Sequence, residues 1–277
     1  MTIKKWLEES IYELESAGIG TARLDLEILL ADGLGKNRAW IIAHQDEVLS
    51  KNIIEDLELR INLRKGHTPL AYIRQKTEFY GRSFYVDQSV LEPRPESETM
   101  IEMCLENILE FSNNQTVAVC DIGTGSGALA ITIKLERPDI EVFGTDIDPA
   151  CLEVAKRNKE IHNTRVNFLE GDLLSPLRKL PDNIPQIIIA NLPYIADDYH
   201  INTAAAREPK TAIFGGPDGL DLYRNMFKQI EKSQYPPKLV LTESLPPQHD
   251  SLAHIASNSG YKLTKTNDFI QMYQMKI

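Results

Sequence analysis

Apolar residues recur three and four positions apart through the first 76 residues, and this spacing predicts short amphipathic helices. The first segment stops at Gly18-Ile19-Gly20 and carries Trp6, Leu7, Ile11 and Leu14. The second segment stops near Gly33 and carries Leu24, Ile28 and Leu29. Glycine is a common helix terminator, so both boundaries follow from the pattern.

Two further helices are predicted, each preceded by a polar residue whose side chain can accept a hydrogen bond from the first turn. Asn37 is the expected cap of a short third helix through Trp40 and Ile41. Ser50 is the expected cap of a fourth, which carries Ile53, Ile54, Leu57 and Ile61 before Gly66. The pattern therefore predicts a small helical bundle, which serves either as a structural appendage or as a partner-docking module.

The pattern changes at residue 77, where two aromatic-rich runs flank Gly81-Arg82 and predict a β-hairpin within residues 77–90. The stretch LEPRPESET follows, with two prolines two positions apart. Each proline fixes its own φ and restricts the residue before it, so a stiff extended bend is expected. Helical spacing resumes from Met100 to Ile108. Glu98 either contacts ligand or caps that helix, and the cap is favoured.

From residue 116 onward, strand and helix patterns alternate. Strands are predicted at 116–121, 140–145, 165–170, 186–190 and 238–242, and helices at 127–136, 149–162, 219–231 and 247–259. Two last strands within 261–276, joined by a tight turn near Asn267-Asp268, are expected to pair antiparallel. The alternation predicts an α/β fold, a doubly wound, seven-stranded and mostly parallel sheet with helices on both faces.

Charge supports a division of the chain into regions. Residues 1–76 carry 11 lysines and arginines against 12 acidic residues, whereas the remainder carries 19 against 28. Such asymmetry indicates two units. We therefore expect a helical domain at 1–76, a β-hairpin and proline-rich linker at 77–95, and a larger α/β domain at 96–277.

Composition excludes several classes of protein. The 277 residues are 42% hydrophobic and 25% charged, as in soluble globular proteins. No apolar run approaches the ~18 residues that suggest a membrane span, and the acidic, amphipathic start is unlike a secretory signal. The net charge of −10 argues against broad nucleic-acid binding.

Cys104, Cys120 and Cys151 lack metal-type spacing, so reduced cysteines, a cytoplasmic location and no metal site are expected. A monomer is expected, since nothing indicates an obligate dimer.

A glycine-rich turn gives the first sign of a ligand site. In VAVCDIGTGSGALAI, Asp121 and three alternating glycines lie between a predicted strand and helix, where ligands of open α/β sheets bind. Gly123, Gly125 and Ala128 also satisfy a dinucleotide-binding pattern. However, Asp121 would sit poorly beside a pyrophosphate and would suit an ammonium group. The pattern D-x-G-x-G-x-G resembles the first motif of class I S-adenosylmethionine-dependent methyltransferases.

Two more acidic residues come at the ends of the next predicted strands. Asp146, in FGTDID, is placed to accept hydrogen bonds from both hydroxyls of a ribose. Asp172, in LEGDLL, is placed to accept one from an adenine amino group, with Leu173 packing on the ring. These placements indicate a nucleoside, and they serve dinucleotide and adenosylmethionine sites alike.

The fourth strand leads into Asn191-Leu192-Pro193-Tyr194, which resembles the [DNS]-P-P-[YF] motif of methyltransferases that act on planar NH₂ groups. Such a nitrogen is a poor nucleophile because its lone pair is delocalised. Two acceptors, here the Asn191 side-chain oxygen and the Leu192 carbonyl, can hold its two hydrogens and position it. Pro193 stiffens the turn, and Tyr194 offers a flat face to the substrate.

From about residue 20 to its end, the chain closely resembles the protein-(glutamine-N5) methyltransferases that modify peptide chain release factors. ARLDLEILLADGLG is similar to their helical domain, PLAYIRQKTEFYGRSFYVDQSVLEPRPESET to their hairpin linker, and REPKTAIFGGPDGLDLYR to a segment after their active-site turn. DIGTGSGALAI, GTDID and GDLL are similar to their cofactor motifs. The resemblance implies the class I methyltransferase fold.

The resemblance also implies a cofactor, a substrate and roles for individual residues. S-adenosyl-L-methionine would be held by Asp121, Gly123, Thr124, Gly125, Ser126, Gly127, Asp146, Ile147, Asp172, Leu173 and Asn191. Residues 191–194 would be catalytic and hold the glutamine of the Gly-Gly-Gln loop of class 1 release factors. Residues 1–76 would dock that partner.

Leu192 departs from the family pattern, which has proline at this position. Asn-Leu-Pro-Tyr is instead typical of ribosomal RNA adenine dimethyltransferases. Those enzymes carry their helical domain after the cofactor domain and are usually basic, whereas this chain is acidic and has the helical region first. Methylation of adenine in RNA or DNA stays a second hypothesis, and an inactive cofactor-binding protein a third. Because leucine keeps the main-chain carbonyl, we expect activity to be retained.

Overall fold

The computed structural model describes residues 1–111, 117–180, 185–201, 203 and 205–276. The chain divides into two compact units. One comprises Met1–Lys76 and Ile201–Arg207, and the other comprises Thr77–His200 and Glu208–Ile277. No helix within the described ranges is long and apolar enough to cross a membrane.

The first unit is helical. Its five helices are α1 Ile3–Ser16, α2 Ala22–Leu34, α3 Arg38–Ala43, α4 Lys51–Lys65 and α5 Leu70–Arg74. The predicted caps are confirmed, since the Trp40 N–H donates to Asn37 Oδ1 at 2.8 Å and the Ile53 N–H to Ser50 Oγ at 3.4 Å. Helix α5 was not predicted, because five residues are too few to show a helical period.

The predicted end of α2 was wrong by about half a turn. Gly33 lies within the helix, and the chain turns at Gly35, whose φ of +62° supplies the left-handed conformation that terminates helices. Leu24 also faces solvent, whereas Leu26, Leu29 and Leu30 are fully buried. The buried face of α2 is therefore rotated from the one the pattern indicated.

Charged residues also contribute to the interior of the helical unit. Asp25 is buried, and its Oδ2 accepts hydrogen bonds from Arg64 Nε at 2.7 Å and from Thr21 Oγ1 at 2.9 Å. Arg64 also donates to the Thr68 carbonyl at 3.2 Å. This pair joins α2 to the last turn of α4.

The second unit begins with a short hairpin of β1 Thr77–Phe79 and β2 Arg82–Phe84. Its turn lies at Tyr80-Gly81, one residue before the predicted place, and both residues have positive φ. Glu98 Oε1 accepts a hydrogen bond from the Tyr80 N–H at 2.8 Å. The predicted role of Glu98 as a helix cap was therefore wrong, because its carboxylate binds the hairpin turn.

A 3₁₀ turn at Pro95–Ser97 leads into helix α6, Glu98–Phe111. The sheet that follows contains β3 Ala118–Ile122, β4 Glu141–Asp146, β5 Asn167–Glu170, β6 Ile187–Ala190, β7 Leu239–Glu243, β8 Tyr261–Asn267 and β9 Ile270–Met275. Its helices are α7 Ala128–Glu136, α8 Pro149–Ile161, α9 Asp221–Glu231 and α10 His249–Asn258. Thr116, the predicted start of the first strand, lies outside the described residues.

The strand order is β5-β4-β3-β6-β7-β9-β8, with β9 antiparallel to both neighbours and the other pairs parallel. Alternate strand residues face opposite layers: Val119 and Ile187 pack with α6 and α7, whereas Cys120 and Ile188 pack with α9 and α10. The predicted seven-stranded, doubly wound fold is confirmed. All five parallel strands end at one edge, where the candidate site lies.

We predict that Arg64→Met destabilises the helical unit by roughly 3 kcal/mol, because it leaves the buried Asp25 carboxylate without its cation while keeping an aliphatic side chain. Urea unfolding followed by tryptophan fluorescence measures this, since both tryptophans, Trp6 and Trp40, lie in this unit. The matched control is Arg60→Met in the same helix, whose partly exposed pair with Asp56 should be worth less than about 1 kcal/mol. Equal losses from the two variants would contradict the role of the Asp25 pair.

Candidate active site

The glycine-rich turn after β3 is held against the neighbouring strand by its main chain. The N–H groups of Gly123 and Thr124 both donate to the Thr145 carbonyl of β4, at 2.8 and 2.9 Å. Gly123, Gly125 and Gly127 all have positive φ, which other residues rarely adopt. Gly127 also has no room for a side chain, since an added Cβ would lie 2.9 Å from the Phe168 ring.

Asp121 lies beneath this turn and is completely buried. Thr124 Oγ1 donates to Asp121 Oδ2 at 2.6 Å, so the acid fixes the middle of the turn. Burial raises the pKa of Asp121 to about 7, although the Thr124 hydroxyl and the Ala130 N–H favour the charged form. Asp121 does not line the cavity beside it, and its predicted contact with an ammonium group stays a prediction.

Asp146, at the end of β4, is positioned by two main-chain donors. The Gly125 N–H donates to Oδ2 at 2.9 Å and the Asp148 N–H to Oδ1 at 3.0 Å. Each carboxylate oxygen can accept a second hydrogen bond, so Asp146 can still bind two hydroxyl groups. Burial raises its pKa above the ordinary value. Ile147 beside it is exposed at the mouth of the cavity.

Residues after β5 form the third wall. Gln229 Nε2 donates to Asp172 Oδ2 at 2.8 Å, and Gln229 Oε1 accepts from the Leu174 N–H at 3.0 Å. Leu173, between them, is buried, and its carbonyl accepts from Thr145 Oγ1 at 2.9 Å. Gln229 lies 57 residues from Asp172 along the chain, which is why sequence patterns did not identify it.

A cavity of about 210 Å³ joins these walls to the end of β6. Eleven predicted site residues line it: Gly123, Thr124, Gly125, Ser126, Asp146, Ile147, Asp172, Leu173, Asn191, Leu192 and Pro193. Three do not, namely Asp121, Gly127 and Tyr194. The proline-rich stretch adds Arg94 and Ser97 to the lining. Arg94 forms an ion pair with the buried Glu208.

Asn191 is connected to a buried carboxylate through a hydroxyl group. Asn191 Nδ2 donates to Ser97 Oγ at 2.9 Å, and Ser97 Oγ donates to Glu243 Oε2 at 2.6 Å. The Tyr194 hydroxyl donates to Glu243 Oε1 at 3.1 Å. Tyr194 is thus attached through its hydroxyl group rather than placed on the cavity wall. Sequence analysis missed Glu243, although an acid ending the apolar run LVLTE was a signal comparable to Asp146.

Leu192 is buried, and the N–H that proline would lack is not left unpaired. It donates to the Tyr223 hydroxyl at 3.2 Å, and that hydroxyl donates to the Glu243 carbonyl at 2.5 Å. Tyr223 is itself completely buried. The additional N–H of leucine is therefore held by a fixed acceptor on α9.

The turn after β6 also packs against main chain from the FGGPDG segment. An added Cβ on Gly215 would lie 2.2 Å from the Pro193 carbonyl oxygen, and one on Gly219 would lie 2.0 Å from that of Tyr194. Gln248 Nε2 donates to the same Tyr194 carbonyl at 2.8 Å. These close approaches require glycine and fix the course of residues 193–194.

Comparisons with known proteins match two parts of the chain to family models. A family model described as PrmC N-terminal domain matches residues 5–74, and one described as ribosomal protein L11 methyltransferase (PrmA) matches residues 98–197. Among solved structures, the catalytic domain of hMettl16 in complex with MAT2A 3′UTR hairpin 6 shares the fold. It has a TM-score of 0.54 at 15% identity, covering 78% of this chain and 81% of that one.

Curated relatives extend over most of the chain. The release factor glutamine methyltransferase of Clostridium acetobutylicum is 34% identical over 254 residues, covering 90% of this chain and 88% of the relative. That of Clostridium botulinum is 32% identical over 267 residues, covering 95% and 93%. The family resemblance found in the motifs is thereby confirmed, and the chain belongs to the release factor glutamine methyltransferase family.

Proposed function

We propose that this protein transfers a methyl group from S-adenosylmethionine to the side-chain amide nitrogen of the glutamine in the Gly-Gly-Gln loop of peptide chain release factors. The observation that carries the proposal is the position of Asn191, which lines the same cavity as the glycine-rich turn and Asp146. Membership of the family supports the choice of substrate.

The cavity fits the cofactor in shape and in chemistry. An added Cβ on Gly125 would meet no atom within 4 Å, so the turn leaves open space that a ligand can occupy next to the main chain. Asp146 retains acceptor capacity for two ribose hydroxyls. The buried Leu173 and the exposed Ile147 provide apolar surface for an adenine ring. When bound, S-adenosylmethionine supplies an electrophilic methyl group on a positively charged sulfur.

The substrate amide would be positioned by two oxygens at the end of β6. Among the residues that the structure describes, no donor binds Asn191 Oδ1 or the Leu192 carbonyl, so both are available to the two hydrogens of an NH₂ group. Holding both hydrogens orients the nitrogen lone pair toward the methyl group. The amide nitrogen would accept the methyl group that S-adenosylmethionine would supply in exchange for its bond to sulfur. The methylated nitrogen then loses a proton to water, so no strong base is required.

We assign different roles to the three regions of the chain. Residues 96–277 carry out transfer, residues 77–95 link the domains, and residues 1–76 dock the release factor. The match of residues 5–74 to a separate family model supports a distinct role for that region. If it docks the partner, an intact release factor will be a better substrate than a short peptide with the same loop.

Transfer of tritium from labelled S-adenosylmethionine tests the proposal. We expect label in a purified release factor, at a higher kcat/KM than in a Gly-Gly-Gln peptide, and none in ribosomal RNA or DNA. Labelled nucleic acid with an unlabelled release factor would establish the adenine hypothesis that Asn-Leu-Pro-Tyr suggests. Labelling of neither, with the cofactor bound, would favour an inactive binding protein. Equal efficiency on protein and peptide would remove the docking role.

Asn191→Ala and Asp146→Ala are predicted to have opposite effects. Asn191→Ala should lower kcat by about a hundredfold or more, as when a transition-state hydrogen bond is lost, with little change in cofactor Kd. Asp146→Ala should raise cofactor Kd by about tenfold or more, because charge-assisted hydrogen bonds to the ribose are lost, with less effect at saturation. Calorimetry and steady-state rates separate the two. Weaker cofactor binding by Asn191→Ala with normal turnover would show that the roles are misassigned.

A double-mutant cycle tests how the turn accommodates Leu192. Tyr223→Phe should cost roughly 1–3 kcal/mol of unfolding free energy, because the buried Leu192 N–H loses its acceptor. In the Leu192→Pro background, the same change should cost less, since proline has no N–H. The hydrogen bond from the Tyr223 hydroxyl to the Glu243 carbonyl is lost in both backgrounds, so its contribution to the unfolding free energy cancels in the cycle. Urea unfolding followed by circular dichroism measures the unfolding free energies of the four proteins. If the losses from the two substitutions simply add, the hydrogen bond between the Leu192 N–H and Tyr223 is contradicted.

A further inference from the structure

Glu243 is a buried acid to which the proposed reaction has so far given no role. It is the last residue of β7, and about 1% of its surface is exposed. Burial raises its pKa, while hydrogen bonds from Ser97 and Tyr194 and the nearby amide of Asn191 favour the charged form. Within the described ranges, no lysine or arginine forms an ion pair with it. A buried carboxylate stabilised by neutral donors alone is costly, and such groups cluster at functional sites.

The donors and acceptors around Glu243 permit only one arrangement when the acid is charged. A carboxylate has no proton to give, so Ser97 must donate its single hydroxyl proton to Oε2. Ser97 Oγ can then only accept from Asn191, which must present its NH₂ group. The amide oxygen of Asn191 is thereby left for another donor. The orientation of an asparagine amide is otherwise weakly determined, because its two ends are nearly equal in size.

We propose that Glu243, acting through Ser97, is a positioning residue that fixes the amide of Asn191 with its oxygen toward the substrate NH₂ group. The inference rests on the proposed function and deepens it. The same carboxylate also binds the Tyr194 hydroxyl through its other oxygen. One buried acid on β7 therefore fixes both ends of residues 191–194.

The hydrogen-bond path runs from Glu243 through Ser97 to Asn191. Exchanging donors and acceptors along it tests the proposal. Asn191→Asp places two carboxylates against the one proton of Ser97, and should lower kcat by about a hundredfold or more. Adding Glu243→Gln supplies an NH₂ group that can donate to Ser97, whose proton then turns to the carboxylate introduced at position 191. One oxygen of that carboxylate again faces the substrate, so the double variant should be about tenfold more active than Asn191→Asp alone. In the wild-type background, Glu243→Gln should lower kcat.

The matched control is Glu96→Gln, which removes a nearby exposed acid that raises the Glu243 pKa but forms no hydrogen bond to the path. It should not rescue Asn191→Asp, whereas rescue by Glu96→Gln would show general relief of charge and overturn the proposal. The proposal would also be overturned if the reduction in kcat of the double variant equalled the product of the reductions in the two single variants. Cofactor Kd should stay constant across the series, which separates positioning of Asn191 from damage to the cofactor site.

A second readout needs no substrate and separates this inference from the proposed function. Asn191→Asp should lower the urea midpoint at neutral pH, and Glu243→Gln in that background should raise it. If the urea midpoints are coupled but the wild type does not methylate a release factor, the hydrogen-bond path is supported and the proposed substrate is rejected. If the wild type does methylate a release factor, but the two substitutions reduce kcat independently and shift the urea midpoint independently, the substrate is supported and the path is rejected.

Discussion

Five neighbouring strands run parallel, and every part of the candidate site depends on this constraint. Ile122 of β3 lies beside Thr145 of β4 and Ala190 of β6, and Ala190 lies beside Thr242 of β7. The residues that follow must therefore meet at one edge, which is where open α/β sheets bind ligands. The glycine-rich turn, Asp146, Asn191 and Glu243 converge because their strands end together.

Within that edge, main chain and side chains have different tasks. Close approaches of Gly215 and Gly219 to the carbonyls of residues 193–194 determine where the turn after β6 runs. Its polar groups are then oriented by hydrogen bonds that Tyr223 and Ser97 accept and that Gln248 donates. Such preorganisation suits a transfer in which the protein supplies orientation rather than a base. Leucine in place of proline at 192 is compatible with it because Tyr223 accepts the additional N–H.

Sequence patterns predicted the features that neighbouring residues along the chain determine. The order of strands and helices, the caps Asn37 and Ser50, and the place of Asp146 at the end of its strand follow from periodicity and from the topology of parallel sheets. The end of α2 could not be decided between Gly33 and Gly35, since only tertiary packing selects the glycine that takes positive φ.

Residues that act across long sequence separations could not be found in this way. Ser97 and Glu243 are 146 positions apart, and Gln229 and Asp172 are 57 apart. Ser97 and Gln229 are unremarkable in their own segments and gain their roles only from partners brought close by the fold. Glu98 shows the opposite error, because a local capping role was assigned to a side chain that binds the hairpin turn.

The most direct test of the central claim is a high-resolution structure with S-adenosylhomocysteine and a release-factor fragment carrying the Gly-Gly-Gln loop. We expect the glutamine side-chain nitrogen to lie within hydrogen-bond distance of both Asn191 Oδ1 and the Leu192 carbonyl, with Asn191 Nδ2 still bound to Ser97. A structure in which the glutamine lies elsewhere, or in which Asn191 presents its NH₂ group to the substrate, would contradict it.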